Sequence, residues 1–381
     1  MLKTAKKIEI EFDFGGENTS YLSHSLHPYP AKFPPQLPKK ILQQYAIKDQ
    51  TILDPFCGSG TTLVEARIFG VNAIGVDVNG LSTLLSKVKA TSLSQLQFKR
   101  IEKFVIKVRE QIPEWKSNKR PKIKIKEIEG SDHWFQINVS EEITFILNEI
   151  KKETDDDVKD FLKIVLSSII VRVSNQDSDT RFAAIEKNIP NGYTLEQFCK
   201  KANEYNSRMV EFSKLISDKT ELQIFNADSR NLDFIPDNSI DLIITSPPYA
   251  NTYDYYLYHK FRKRWLDLDV KFAQYNEIGS RREYSSLKEK PEKWNIDLTK
   301  CFIEMQRVLK PSHLAFIVIG DSVIKKELIK IEKEISDFIP NIGFKINDIL
   351  SSDLSGHSRI FNPTYAQKGK KEHLIILEKT Q

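Results

Sequence analysis

The sequence predicts a doubly wound α/β domain interrupted by a long, mostly helical insertion, and three observations carry that expectation. Seven short β-like runs lie toward the two ends of the chain: Thr51–Phe56, Asn72–Val78, Leu222–Ala227, Ile240–Thr245, Leu314–Gly320, Gly343–Leu350 and His373–Lys379. Several are continuous apolar runs, the pattern of parallel strands covered on both faces. Helical stretches such as Thr61–Phe69 and Asp297–Val308 alternate with them, as crossover helices do. Between about Ser94 and Asp218 the strand rhythm stops and helical periodicity takes over. The chain therefore divides into a first α/β part (1–93), an insertion (94–218) and a second α/β part (219–381).

The insertion reads as a series of helices. Ser140 is a fitting N-cap for a helix running to Lys152, with Glu141 and Glu142 in its first turn. Val158–Val173 carries Phe161, Leu162, Val165, Leu166, Ile169 and Ile170 as an apolar stripe. Thr194 and Gln197 have the spacing of a capping box for a third helix. Ahead of these, Arg120–Lys126 alternates with a period of two, which puts Lys122, Lys124 and Lys126 on one face of a strand. His133 and Trp134 read as packing residues. The polar stretch Val173–Arg181 reads as a helix terminus and loop, or as a segment beside the substrate.

Composition narrows the class. With 381 residues, 40% of them hydrophobic, the chain can bury a large core, which excludes a disordered protein. No apolar run approaches the ~20 residues of a membrane span. Met1–Ile10 lacks the apolar stretch of a signal peptide, and three scattered cysteines build neither a disulfide framework nor a zinc cage. A cytoplasmic protein is expected. The net charge of +5 is mild, but residues 99–126 alone hold 11 Lys/Arg against 3 Glu, as a phosphate-binding surface does.

The first strand ends in Asp54-Pro55-Phe56-Cys57-Gly58-Ser59-Gly60-Thr61-Thr62. A glycine turn from strand to helix lets the backbone approach a ligand at the carboxyl edge of the sheet. The third glycine of the dinucleotide fingerprint is absent, and so is the Gly-Lys-Ser/Thr ending of a phosphate loop, which disfavours a pyrophosphate ligand. Asp77 ends the second strand 23 residues beyond Asp54, where an acid takes the ribose hydroxyls of a nucleoside cofactor. Asp228 follows the third strand on the same rim. An isolated glycine turn is usually only a turn; three acids around it favour a site.

The fourth strand ends in Thr245-Ser246-Pro247-Pro248-Tyr249. An exocyclic amine on a nucleobase is a poor nucleophile because its lone pair is delocalised into the ring. Acceptors for its two N–H groups draw the nitrogen toward tetrahedral geometry, and their stabilisation grows as positive charge develops there. Ser246 offers a hydroxyl and Pro247 a carbonyl, held by two prolines that restrict the backbone. Tyr249 supplies a ring on which an extruded base can stack, worth ~1–3 kcal/mol. A proline-stiffened loop with a buried tyrosine is the plain alternative.

Together these motifs resemble the S-adenosylmethionine-dependent DNA amino-methyltransferases. Phe56-Cys57-Gly58-Ser59-Gly60 is similar to their Phe-x-Gly-x-Gly motif, and His27-Pro28-Tyr29-Pro30-Ala31-Lys32-Phe33-Pro34-Pro35 to the segment they place over the methionine end of the cofactor. The resemblance implies a Rossmann-like seven-stranded methyltransferase sheet with an antiparallel last strand. It implies S-adenosyl-L-methionine as cofactor, held by Lys32, Phe33, Asp54, Pro55, Phe56, Cys57, Gly58, Gly60, Thr61, Asp77, Val78, Asp228 and Ser229. Ser246, Pro247, Pro248 and Tyr249 become the catalytic residues. Ser-Pro-Pro-Tyr is the form typical of cytosine-N4 enzymes, Asp-Pro-Pro-Tyr is commoner in adenine-N6 enzymes, and Asn-Pro-Pro-Tyr occurs in protein and RNA amino-methyltransferases. Cytosine-C5 chemistry needs a cysteine nucleophile after a proline, and no cysteine here follows one.

The expected activity is therefore site-specific methylation of cytosine N4 in a flipped base of double-stranded DNA, within a restriction–modification system. Rival readings are adenine-N6 methylation of DNA, an RNA amino-methyltransferase acting on guanine N2 of tRNA, and a non-catalytic DNA-binding protein. Lys260, Arg262, Lys263 and Arg264 are expected on the exposed flank of a helix whose core stripe is Leu257, Phe261 and Trp265; with Arg281, Arg282 and the lysine row they form the expected phosphate-contacting set. The expected partners are DNA, a second copy of the chain in a homodimer and a cognate endonuclease, with no membrane and no metal.

Overall fold

The computed structural model describes residue 14 and residues 16–117, 120–217, 219–290, 292–324, 327–353 and 369–380. From the amino end come α1 (Gln36–Tyr45), β1 (Thr51–Asp54), α2 (Thr61–Phe69), β2 (Asn72–Asp77) and α3 (Gly80–Ala90). The insertion follows as α4 (Gln95–Lys116), α5 (Ile137–Lys151), α6 (Asp156–Ile169), a hairpin of β3 (Gln176–Ser178) and β4 (Arg181–Ala184), and α7 (Tyr193–Ser213). The second α/β part contains β5 (Leu222–Asn226), β6 (Ile240–Thr245), the short helices α8 (Tyr255–Tyr258), α9 (Lys260–Trp265), α10 (Val270–Asn276) and α11 (Arg281–Ser285), and then α12 (Glu292–Val308). It closes with β7 (Leu309–Gly320), a small hairpin of β8 (Ser322–Ile324) and β9 (Glu327–Ile329), α13 (Ile331–Phe338), β10 (Phe344–Asp353) and β11 (Lys371–Lys379).

All seven runs read as strands form one sheet in the order β10-β11-β7-β6-β1-β2-β5. The pairs from β5 across to β7 are parallel, and β11 runs antiparallel to both β7 and β10. The period-two alternation of side chains divides each strand between two cores. Ile52, Leu242, Ile244, Phe316, Val318, Leu374 and Ile376 face one; Leu53, Ile243, Ile317, Ile319, Ile375 and Leu377 face the other. The first core continues into the insertion through Ile101, Phe161, Leu166, Phe198 and Tyr205, so those helices pack onto one face of the sheet. Among the described residues no helix is long and apolar enough to cross a membrane.

Several local expectations are corrected. Helix α5 starts at Ile137, which puts Ser140 inside it; Gln136 is the N-cap, its amide bonded to the Lys187 carbonyl. Helix α6 begins and ends earlier than the apolar stripe suggested, capped by Asp155. Thr194 lies within α7, whose N-cap is Gly192 at φ +81°. That end is capped from another helix: the Glu142 carboxylate accepts from Gly192 N at 2.6 Å and Thr194 N at 2.9 Å. Local spacing cannot reveal a cap that comes from 50 residues away. Replacing Glu142 with alanine leaves two buried donors unpaired and is expected to cost about 2–3 kcal/mol. Urea titration of the variant measures the loss.

The Arg120–Lys126 segment pairs with no strand among the described residues. Lys122 and Lys124 are exposed. Lys126 instead folds against α9, its Nζ 2.7 Å from the Trp265 carbonyl and 2.6 Å from Asp267 Oδ1.

Candidate active site

The loops at the carboxyl ends of β1, β2 and β6 enclose a cavity of about 230 Å³, roofed by Tyr29–Pro34 and walled on the far side by Tyr253–Tyr256 and Ala273–Ile278. Two glycines shape the turn between β1 and α2. Gly58 has φ +48°, in the left-handed region, and its N–H donates to Asp77 Oδ2 at 2.9 Å. Gly60 has φ +81°, and a Cβ there would stand 2.9 Å from Ser86 Cα, so glycine lets α2 close on α3. Asn79 N donates to the other Asp77 oxygen at 2.8 Å. Burial raises the Asp77 carboxyl to about 6, opposed by these two N–H groups and by the charge of Lys263.

Ten of the thirteen residues expected around the cofactor line this cavity: Lys32, Phe33, Phe56, Cys57, Gly58, Thr61, Asp77, Val78, Asp228 and Ser229. Asp54, Pro55 and Gly60 do not, and each has a structural task. Asp54 is 1% exposed and takes hydrogen bonds from Thr245 Oγ1 at 2.6 Å and Phe56 N at 3.1 Å, which pins the ends of β1 and β6 together. The Pro55 carbonyl accepts from Ser229 Oγ, and Gly60 serves helix packing. Asp228 is gripped by Arg230, which also pairs with Asp297 at 3.0 Å. Lys32 donates to the His24 carbonyl at 3.1 Å, and burial lowers its pKa.

Ser246, Pro247, Pro248 and Tyr249 line the same cavity. Trp294 Nε1 donates to the Pro248 carbonyl at 3.1 Å, and the Tyr249 hydroxyl donates to Glu372 Oε1 at 2.8 Å. Tyr29 stacks on Tyr255 with ring centres 5.7 Å apart. Glu277 accepts from the backbone of Tyr255 at 2.7 Å and Tyr256 at 3.4 Å, and burial pushes it up to about 8. Tyr253, Tyr255 and Tyr256 follow the catalytic loop in sequence, and nothing in the sequence assigned them to the cavity. Sequence reasoning missed Glu277 and Glu372, because only the folded chain brings them there, while Tyr29 belongs to the segment already expected over the cofactor.

The basic helix departs most from expectation. Arg262 is 1% exposed, bonded to the Ser167 carbonyl at 3.0 Å and paired with Asp179, so it ties the β3–β4 hairpin to α9. Lys263 is fully buried, and its pKa falls to about 8. Arg264 pairs with Glu129 at 2.8 Å, and Lys260 lies over the Phe182 ring. Phe261 and Trp265 pack into the core on so short a helix that Arg262 and Lys263, next to them, are enclosed as well. Arg281 and Arg282 sit half-buried on α11, with the Arg282 guanidinium over Tyr256.

The family model for N6/N4 DNA methylases matches residues 6–80 and 240–380, more than half of the chain. The chain belongs to that family. The two matched segments hold the roof, the glycine turn, Asp77, the Ser246–Tyr249 loop and Glu372, and the insertion lies outside both. The methylase is 28% identical to the type II methyltransferase M.MvaI of Kocuria varians, an alignment covering 85% of this chain and 83% of the relative. It is 25% identical to the type II methyltransferase M.MjaII of Methanocaldococcus jannaschii, over 82% and 74% of the two chains. Among solved structures, a SAM-dependent methyltransferase from Methanosarcina mazei aligns over 93% of the methylase and 99% of its own chain at 12% identity and a TM-score of 0.35.

S-adenosylmethionine is the methyl donor of the methylase, and the cavity's donor set fits it. Asp77, fixed by two backbone N–H groups, keeps acceptor capacity for ribose hydroxyls. The amino end of α2 at Thr61 and the Lys32 ammonium border the cavity as partners for a carboxylate.

Proposed function

We propose that the methylase modifies the exocyclic N4 of cytosine in duplex DNA, acting as the modification half of a restriction–modification system with a cognate endonuclease. The observation that carries this reading is the Ser-Pro-Pro-Tyr loop on the wall of the cavity that also holds Asp77. Bound S-adenosylmethionine supplies a sulfonium methyl group as the electrophile. The Ser246 hydroxyl and the Pro247 carbonyl accept the amino N–H groups of the flipped base, and Tyr249 stacks on its ring. Their hold strengthens as the nitrogen gains positive charge, so it lowers the barrier more than it stabilises the bound base. The aromatic wall keeps water from the reacting nitrogen. Incubating the protein with labelled S-adenosylmethionine and mixed-sequence DNA, then analysing nucleosides, is expected to yield N4-methylcytosine. N6-methyladenine would move the assignment to adenine, and label in tRNA but not DNA would overturn the DNA reading.

The insertion is proposed as the target-recognition or DNA-clamping element. Its motivation is the excess of cations in residues 99–126, of which Lys122 and Lys124 are exposed. Replacing both with glutamine is expected to weaken binding to all sequences and to flatten the slope of log affinity against log salt by up to ~1.8. Filter binding across a salt series checks this; an unchanged slope would leave the lysines as solubilising groups. Sequence choice should persist, because phosphate contacts do not read bases.

A further inference from the structure

We infer that Glu372 is a positioning residue for methyl transfer: its carboxylate holds the hydroxyl of Tyr249 and so sets the ring on which the flipped base stacks. The inference rests on the proposed stacking role of Tyr249. Glu372 enters from the far end of the sequence. It lies on β11 in register with Gly320, the last residue of β7, and lines the cavity next to Tyr249 of the catalytic loop.

Both ends of the Tyr249 unit are held. Trp294 grips the preceding carbonyl of Pro248, and Glu372 Oε1 accepts the hydrogen bond of the Tyr249 hydroxyl at 2.8 Å. The base of the post is itself clamped. Asp321 N donates to the Lys371 carbonyl at 2.8 Å, Lys371 N donates back to Asp321 Oδ2 at 3.0 Å, and His373 Nε2 lies 3.4 Å from Asp321 Oδ1. The residues on either side of Glu372 are thus tied to one buried aspartate, which Lys330 also pairs at 2.9 Å. Such a chain of contacts fixes a ring before the substrate arrives, and an ångström of misplacement at a reacting centre costs as much as ~10²-fold in rate.

The test is a double-mutant cycle on DNA methylation with a separate reading of the bond. Glu372→Ala is expected to lower kcat/KM by about 10- to 100-fold, mostly in kcat, while S-adenosylhomocysteine affinity holds. Glu372→Gln, whose amide oxygen accepts the same phenol proton, should recover most of the loss. Tyr249→Phe should match Glu372→Ala, and the double variant should be no worse than either single one. With ring-labelled tyrosine, the Cζ resonance that disappears in Tyr249→Phe should shift in Glu372→Ala. An unaffected rate in Glu372→Ala overturns the inference. Additive losses in the double variant overturn it in favour of a direct contact between Glu372 and the base, and a glutamine variant as poor as alanine does so in favour of a need for charge. An indifferent Cζ signal shows that the bond does not form. If the wild type methylates no DNA, the proposed function falls, and the resonance still reports on the bond by itself.

Discussion

Replacing Asp77 with alanine is expected to weaken S-adenosylhomocysteine binding by at least about 100-fold, while the protein keeps its thermal unfolding transition. The carboxylate is oriented by Gly58 N and Asn79 N, one on each oxygen, and Asp77 lines the cavity. Charge-assisted bonds to ribose hydroxyls contribute about 1.5–3 kcal/mol each, so losing two of them amounts to two orders of magnitude or more in affinity. The substitution also releases the N–H of Gly58 from the acceptor that steadies the glycine turn. Isothermal calorimetry reads the effect, and near-wild-type affinity would refute the assignment. The sign with pH is fixed by chemistry. With its pKa raised to about 6, Asp77 turns from acceptor to donor as the pH falls through that value, so affinity should decline on the acid side.

Ser246→Ala should act on rate instead. Its hydroxyl is expected to matter most when the amino nitrogen carries developing charge, and losing one such preorganised acceptor typically costs ~10²–10³ in kcat. Cofactor affinity should be unchanged. Single-turnover methylation with saturating S-adenosylmethionine separates the two, and a variant within a factor of two of wild type would remove the hydroxyl from the mechanism.

What was legible in the sequence follows a physical division. Strands were readable because a sheet buried on both faces needs continuous apolar runs such as Leu314–Ile319, and all seven are in the sheet. The ten expected cofactor residues that line the cavity lie on the roof segment, the glycine turn and the strand ends, which are local motifs. The failures are those of distance. Nothing near Thr194 announces that Glu142 caps its helix, and nothing near Arg262 announces that Asp179 and Ser167 enclose it. A run of cations beside aromatics was read as a surface. Only packing reveals that Phe261 and Trp265 carry Arg262 and Lys263 inward with them. Asp54 shows the same limit at the site: its motif was recognised, but its partner, Thr245, turns it into a brace between strands.

The sheet order has a consequence for how the chain is made. β11, which follows β10 in sequence, lies between β7 and β10, and among the described residues β10 pairs with no other strand of the sheet. During translation β10 is therefore made before the strand it pairs with, and it enters the sheet only once that strand is in place. When residues 371–379 emerge they pair on both sides, closing the sheet and delivering Glu372 to the wall of the cavity. Pairings so remote in sequence form late, because loop closure must precede the contacts that reward it. Until residues 371–379 pair, neither outer strand is held in the sheet and the Glu372 wall is missing, so the site is completed only when β11 is added.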